Sequence, residues 1–206
     1  MMKRVVLMAV LALALPLAAF AGNVDFTNTG GTLTGTSAGL TLSGSELTVV
    51  DGLGGLGVVS GGNLGGLAFS TGALTSGNLT TGATFAAGGS FTITGNGTGG
   101  IPTGVIFSGS FSGPVTWTEV TSPGPNGSIY YILTGAVSGT WYTGATVSGA
   151  TTQITFSAGV SGFTGSVTLG SGDTIITTTV PEPGTLGLLG TGLVGLAGVV
   201  RKKLKT

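Results

Sequence analysis

Near neutral pH, the side chains of residues 22–180 able to move protons number five: Asp25, Glu46, Asp51, Glu119 and Asp173. Two carboxyls facing each other across a cleft hydrolyse glycosides, one as acid and the other as base or nucleophile. Glu46 and Glu119, with an aspartate, are the candidates from which such a site could be drawn. Nothing in their spacing recommends them, and each reads more simply as a solvated strand or turn residue. The chain has no His and no Cys. That removes the Ser-His-Asp and Cys-His nucleophile systems and zinc sites of the His/Cys type. Residues 22–180 contain no Lys, so they cannot form an internal Schiff base. Asp51-Gly52 and Gly172-Asp173 offer oxygens suited to calcium, but no Asp-x-Asp-x-Asp-Gly loop is present and both read as turns. The glycines follow neither the dinucleotide-binding nor the phosphate-loop spacing. No catalytic residue, metal site or cofactor is expected, and the chain reads as non-enzymatic.

A second kind of chemistry needs no proton transfer. Trp117, Tyr130, Tyr131, Trp141 and Tyr142 fall close together in the sequence. Exposed on one face, they would stack on the rings of a polysaccharide; buried, they would be the core of a small β domain. Both readings stay open at this level. Charge excludes a different partner. All six basic residues lie at the two ends of the chain, so residues 22–180 carry 0 − 5 = −5. Nucleic-acid binding depends on cations that neutralise phosphates, and none is available there. Asn78-Leu79-Thr80, Asn96-Gly97-Thr98 and Asn126-Gly127-Ser128 match the N-glycosylation acceptor pattern. In a Thr-rich chain they read as chance.

The elements that must position these residues are strands. Phe91 and Ile93 alternate with Thr92 and Thr94, and Ile154, Phe156 and Ala158 alternate with Thr155 and Ser157. Phe163, Val167 and Leu169 alternate with Thr164, Ser166 and Thr168 in the same way. Val105, Phe107 and Phe111 are expected on one face, with Ile106, Ser108 and Ser110 on the other. This period of two, carried by β-branched and aromatic residues, predicts half-buried strands and no helix. Residues 115–121 and 128–134 flank Ser-Pro-Gly-Pro-Asn-Gly, a turn signal that predicts a hairpin. Leu33, Leu40, Leu42, Leu47, Val49 and Val50 read as short strands, and residues 51–66 as a long glycine-rich loop or irregular edge. The phrase Thr-Gly-Ala recurs at unequal spacing, which does not support a regular solenoid. The expectation is an all-β fold of antiparallel sandwich or barrel-like sheets. With no Cys it must be held by its own core, and 159 residues are enough to build one.

The two ends carry addresses. Lys3 and Arg4 precede an apolar stretch at 5–15, Pro16 breaks it, and Ala19-Phe20-Ala21 supplies small residues at the positions a signal peptidase reads. Residues 1–21 are therefore expected to be a signal peptide, helical in its apolar part, cut after Ala21. At the other end, Pro181-Glu182-Pro183 precedes an apolar helix expected over 185–200 and a basic end at 201–206, with Arg201, Lys202, Lys203 and Lys205. The uncharged stretch from 186 to 200 spans roughly 22 Å as a helix, against about 30 Å for the hydrocarbon core. It suits a temporary transmembrane anchor better than a permanent one. The basic end should remain cytoplasmic. The prolines hold Glu182 in an extended, readable segment outside the membrane.

Pro181-Glu182-Pro183, the apolar run and Arg201-Lys202-Lys203, in this order, resemble the PEP-CTERM sorting signal of Gram-negative bacteria. The resemblance covers residues 181–206 and says nothing of residues 22–180. It implies recognition by an exosortase-type membrane protease or transpeptidase, after export by the general secretion machinery. It further implies an inner-membrane intermediate, removal of the tail, and release or attachment at the cell surface or in an extracellular matrix. Such signals often accompany exopolysaccharide and biofilm production, which makes exopolysaccharide a partner to consider. The whole then reads as an exported surface or matrix protein, with a polysaccharide-binding β-sandwich as the alternative.

Overall fold

The computed structural model describes residues 23–121, 127–157 and 162–177. The expected signal segment, the turn at 122–126 and the sorting tail lie outside the described residues. Thirteen strands follow in order. The first seven are β1 Asn23–Thr29, β2 Thr32–Thr36, β3 Gly39–Asp51, β4 Val59–Ser70, β5 Leu74–Asn78, β6 Gly82–Phe85 and β7 Gly88–Asn96. The remaining six are β8 Thr103–Phe111, β9 Val115–Thr121, β10 Ile129–Trp141, β11 Thr146–Ser157, β12 Ser166–Thr168 and β13 Gly172–Thr177. Among the described residues every strand pairing is antiparallel, and the only helical pieces are two three-residue 3-10 turns. The fold is all-β, as the alternation predicts.

The pairings close on themselves. Passing from neighbour to neighbour, β13, β1, β3, β4, β7, β8, β10 and β11 form a ring, and β11 returns to β13. Closure removes the edges through which strands otherwise pair with other chains. The return is narrow, a single register pair, Thr151 with Thr177. Two strands are long enough to serve two neighbours on one edge. β3 carries β2 on its first half and β1 on its second, and β10 carries β9 and then β8. The extra strands β9, β6 and β5, and β2 with β12, extend from these positions. The expected hairpin is present, with Thr121 opposite Ile129 and Thr116 opposite Thr134.

Alternation fills the interior. Tyr131, Leu133 and Val137 of β10 point inward, as do Ile154 and Phe156 of β11. Phe69, Phe91 and Phe111 meet at ring separations of 5.7–6.1 Å, Phe91 lying edge-on to Phe111. Beside them Trp117 stacks on Tyr131 at 4.6 Å and 4°. These geometries add modest energy to a large burial of apolar area. The same interior holds polar side chains. Asn28 donates to Ser45 Oγ at 2.6 Å. The hydroxyls of Thr152 and Thr174 are buried with no hydrogen-bond partner among the described residues. A desolvated hydroxyl left unpaired is costly, and an isosteric methyl is not. Thr174→Val is therefore expected to stabilise the domain by about 1 kcal/mol, read as a higher denaturant midpoint at unchanged slope.

Two expectations need correction. Val105 does not share a face with Phe107 and Phe111. It is 52% exposed, while Ile106 and Phe107 are both buried. A register shift between Ile93 and Thr94 places Phe107 opposite Ile93 but Val105 opposite Thr94. Such a bulge turns over every side chain beyond it. Residues 51–66 are not one long loop, because β4 begins at Val59. The connection is a compact glycine turn, and it occurs twice. Asp51-Gly52-Leu53-Gly54-Gly55-Leu56 and Asn96-Gly97-Thr98-Gly99-Gly100-Ile101 adopt the same backbone, with Gly52 at φ 77° and Gly97 at φ 90°. In each, the last amide closes on the third residue's carbonyl, at 2.9 Å from Leu56 and 3.1 Å from Ile101. Only glycine takes these left-handed positions without strain.

Candidate functional site

The five aromatics do not form one exposed face. Trp117 and Tyr131 are buried in the core, and their polar atoms are spent there. Trp117 Nε1 donates to the Leu79 carbonyl at 3.0 Å, and Tyr131 Oη donates to the Thr80 carbonyl at 2.8 Å while accepting from the Phe163 amide at 3.0 Å. Neither ring offers a face to a sugar, so of the two readings open for them the core reading holds and the stacking one is withdrawn. Trp141 is half-buried, 5.1 Å from the Phe107 ring. Tyr142 is exposed at the β10–β11 turn, its amide bonded to the Ile106 carbonyl at 2.7 Å. Tyr130 is exposed on the outer face of β10. Of the five, Tyr130 and Tyr142 present open rings, at opposite ends of β10.

The acidic residues are sorted by register. Glu46 accepts a hydrogen bond from the Asn63 amide and thereby supports the left-handed Asn63, at φ 52°, in the irregular part of β4. Glu119 lies on β9 opposite Tyr131. The carboxylates that do meet are three aspartates. Asp25 stands directly opposite Asp51 across β1 and β3. Asp173 stands opposite Thr27 on the other side of β1 and accepts a hydrogen bond from Thr27 Oγ1 at 3.2 Å. Cross-strand neighbours of like charge repel. Partial burial pushes the Asp25 carboxyl up to about 6, helped by the negative charge of Asp173, a side-chain hydrogen bond to Asp173 made by the acid form, and the charge of Asp51. Among the described residues no group of three acidic, His or Cys side chains is arranged to hold a metal ion.

A raised carboxyl has a defined sign in stability. The folded domain holds this proton more tightly than the unfolded chain. The contribution is fully present below the ordinary aspartate value and is lost as pH rises through about 6. Asp25→Asn removes the repulsion without removing a hydrogen-bonding group. After discounting for solvent screening, the variant should gain about 1 kcal/mol at pH 7.5. At pH 4 it should melt with the parent. A thermal melt at the two pH values checks this.

Next to this cluster the ring has its least regular pairing. β11 and β13 share the Thr151–Thr177 pair and no other register pair among the described residues. Beside this seam a depression of about 210 Å³ is lined by Tyr130, Thr155, Ser157, Ser171, Gly172 and Asp173. The sequence singles out Tyr130 and, as a turn, Gly172-Asp173, but not Thr155, Ser157 or Ser171, since Ser and Thr carry no signal in so hydroxyl-rich a chain. The Asn residues of two acceptor triplets are turn residues. Asn78 Oδ1 accepts from the Thr80 and Thr81 amides at 2.9 and 2.8 Å, and Asn96 Oδ1 accepts from the Thr98 amide at 2.9 Å.

Comparison with known proteins speaks to one end of the chain. Residues 179–202 match the model of the PEP-CTERM protein-sorting motif. The match begins two residues after β13 and includes Pro181, Glu182, Pro183, the apolar run, Arg201 and Lys202. The C-terminal segment is a sorting signal of the class processed by exosortase membrane enzymes. No curated protein and no solved structure matches the chain.

Proposed function

We propose that this is an exported, non-enzymatic protein of the bacterial cell surface or extracellular matrix, delivered by an exosortase-type system that reads Pro181-Glu182-Pro183. The observation that carries this reading is the sorting-motif match at 179–202. The β domain is the cargo. Its first strand starts at Asn23, next to the expected signal cleavage after Ala21, and its last ends at Thr177. Asn23 and Thr177 are paired in register, so loss of either terminal segment leaves every described strand in place. The chemistry of the domain supports a binding or structural role. It has no His, Cys, Lys or Arg between residues 22 and 180, and its aspartate cluster is gathered from the outer faces of β1, β3 and β13.

The test is fractionation of cells expressing the full chain or a chain ending at residue 180. The full chain should pass through an inner-membrane intermediate and finish at the surface or in the medium. The shortened chain should stay in the periplasm. Identical distributions would contradict the proposal. A second reading, an extracellular polysaccharide-binding module, is favoured by one observation: the depression beside Tyr130, lined by Thr155, Ser157 and Ser171.

A further inference from the structure

We propose that the seam between β11 and β13 is a binding site for an uncharged saccharide chain, with Tyr130 as its stacking platform and Asp173 as its principal hydrogen-bond acceptor. This rests on the polysaccharide-binding reading above, and gives it a place and a ligand class.

The geometry comes from incomplete closure of the ring. β11 is held along one edge by β10 through residues 146–157, but its other edge meets β13 in register only at Thr151. Towards Ser157 the two strands continue side by side without further register pairs, and the depression lies over this part of the seam. Tyr130 lies opposite Ser157 on β11 and opposite Val120 on β9. Paired residues share a face of the sheet. Tyr130 is 36% exposed and Val120 41% exposed, so the two make a small apolar shelf on the outer wall. Thr155, Ser157, Ser171 and Asp173 line the mostly apolar depression beside it, which leaves their polar groups to serve its rim.

That set fits a sugar ring. A pyranose has an apolar C–H face that packs on an aromatic ring, and a rim of hydroxyls that must be paired. Ser and Thr hydroxyls donate and accept, and a carboxylate accepts from two donors at once. A few convergent polar groups around an apolar floor are what orient a small ligand. Charge narrows the ligand further. Asp25 and Asp51 continue the wall beyond Asp173, and residues 22–180 contain no cation to offset them. A uronic acid chain would be repelled, and a neutral glycan would not.

The experiment is isothermal titration of the full chain, purified in a detergent without a sugar headgroup. The probes are maltohexaose and cellohexaose as neutral chains and hexagalacturonate as the acidic one. At least one neutral hexasaccharide should bind with a Kd below about 1 mM. Hexagalacturonate should bind at least roughly tenfold more weakly. Tyr130→Ala should weaken the neutral chain by about tenfold or more, and Asp173→Asn should weaken it as well. Tyr142→Ala, which removes the other open ring, should leave it unchanged. Should Tyr130→Ala fail to fold, Asp173→Asn reads the same site. The proposal is overturned if neither neutral chain binds with a Kd below about 1 mM. It is equally overturned if the acidic chain binds as tightly, or if Tyr142→Ala weakens binding as much as Tyr130→Ala. Sorting of the tail plays no part in this titration, so its failure and that of the export reading are separable.

Discussion

Trp117→Ala should lower the melting temperature of the β domain by roughly 8–20 °C. Deleting a buried indole typically costs about 3–5 kcal/mol, because the cavity left behind collapses only in part. Trp117 is placed to give the upper half of that range. Its ring stacks on Tyr131 at 4.6 Å and touches Phe156 and Phe163 at 5.6 and 5.5 Å. The substitution strips contacts from β9, β10, β11 and the segment before β12 together. It also leaves the Leu79 carbonyl without the indole donor that now reaches it at 3.0 Å. Trp117→Phe keeps most of the apolar volume and loses that hydrogen bond, so it should recover about half of the loss. A surface role for Trp117 predicts little change in melting temperature for either variant. Parallel thermal melts followed by far-ultraviolet circular dichroism decide between the two.

Replacing Pro181-Glu182-Pro183 with three alanines in the intact chain should trap the protein in the inner membrane. Proline disfavours helix, and an extended peptide is the form in which proteases and transpeptidases read their substrates. Alanines favour helix where proline forbids it and would remove the charge at Glu182. The apolar run and basic end would still insert, so export and anchoring should proceed while processing fails. The expected effect is a fall of roughly tenfold or more in surface protein, with an equal gain of an unprocessed inner-membrane species. This differs from deletion of the tail, which removes the anchor as well as the motif. Normal surface levels from the alanine chain would mean that the apolar and basic parts suffice.

The strand content and the β9–β10 hairpin were legible because apolar and hydroxyl residues alternate there and a Pro/Gly/Asn cluster joins the two runs. Legibility failed where the backbone departs from the period of two. Val105 was assigned to the wrong face because a bulge at Ile106 has no side-chain signature. β4 was missed at its start because residues 59–66 include four glycines, which bear no side chain to alternate. The duplicate turns at 51–56 and 96–101 share the pattern Asp/Asn-Gly-x-Gly-Gly-Leu/Ile, which the abundance of glycine elsewhere in the chain conceals. The aromatic cluster was visible as composition, but exposure is a property of register: Tyr130 and Tyr131 are neighbours in the chain and face opposite sides of the sheet. The aspartate cluster could not be found at all from sequence. Asp25 and Asp173 belong to the first and last strands and meet only because β13 returns to β1. The sorting signal was the most legible part, since its three components are contiguous and need no tertiary structure to be recognised.

The account depends on a tail that is read and removed while a self-sufficient β domain is delivered. Intact-mass spectrometry of the protein recovered from the cell surface and medium tests this most directly. The account predicts a polypeptide that begins at Gly22 and ends upstream of residue 186, so that the apolar run and basic end are gone. A surface polypeptide that still ends at Thr206 would contradict it.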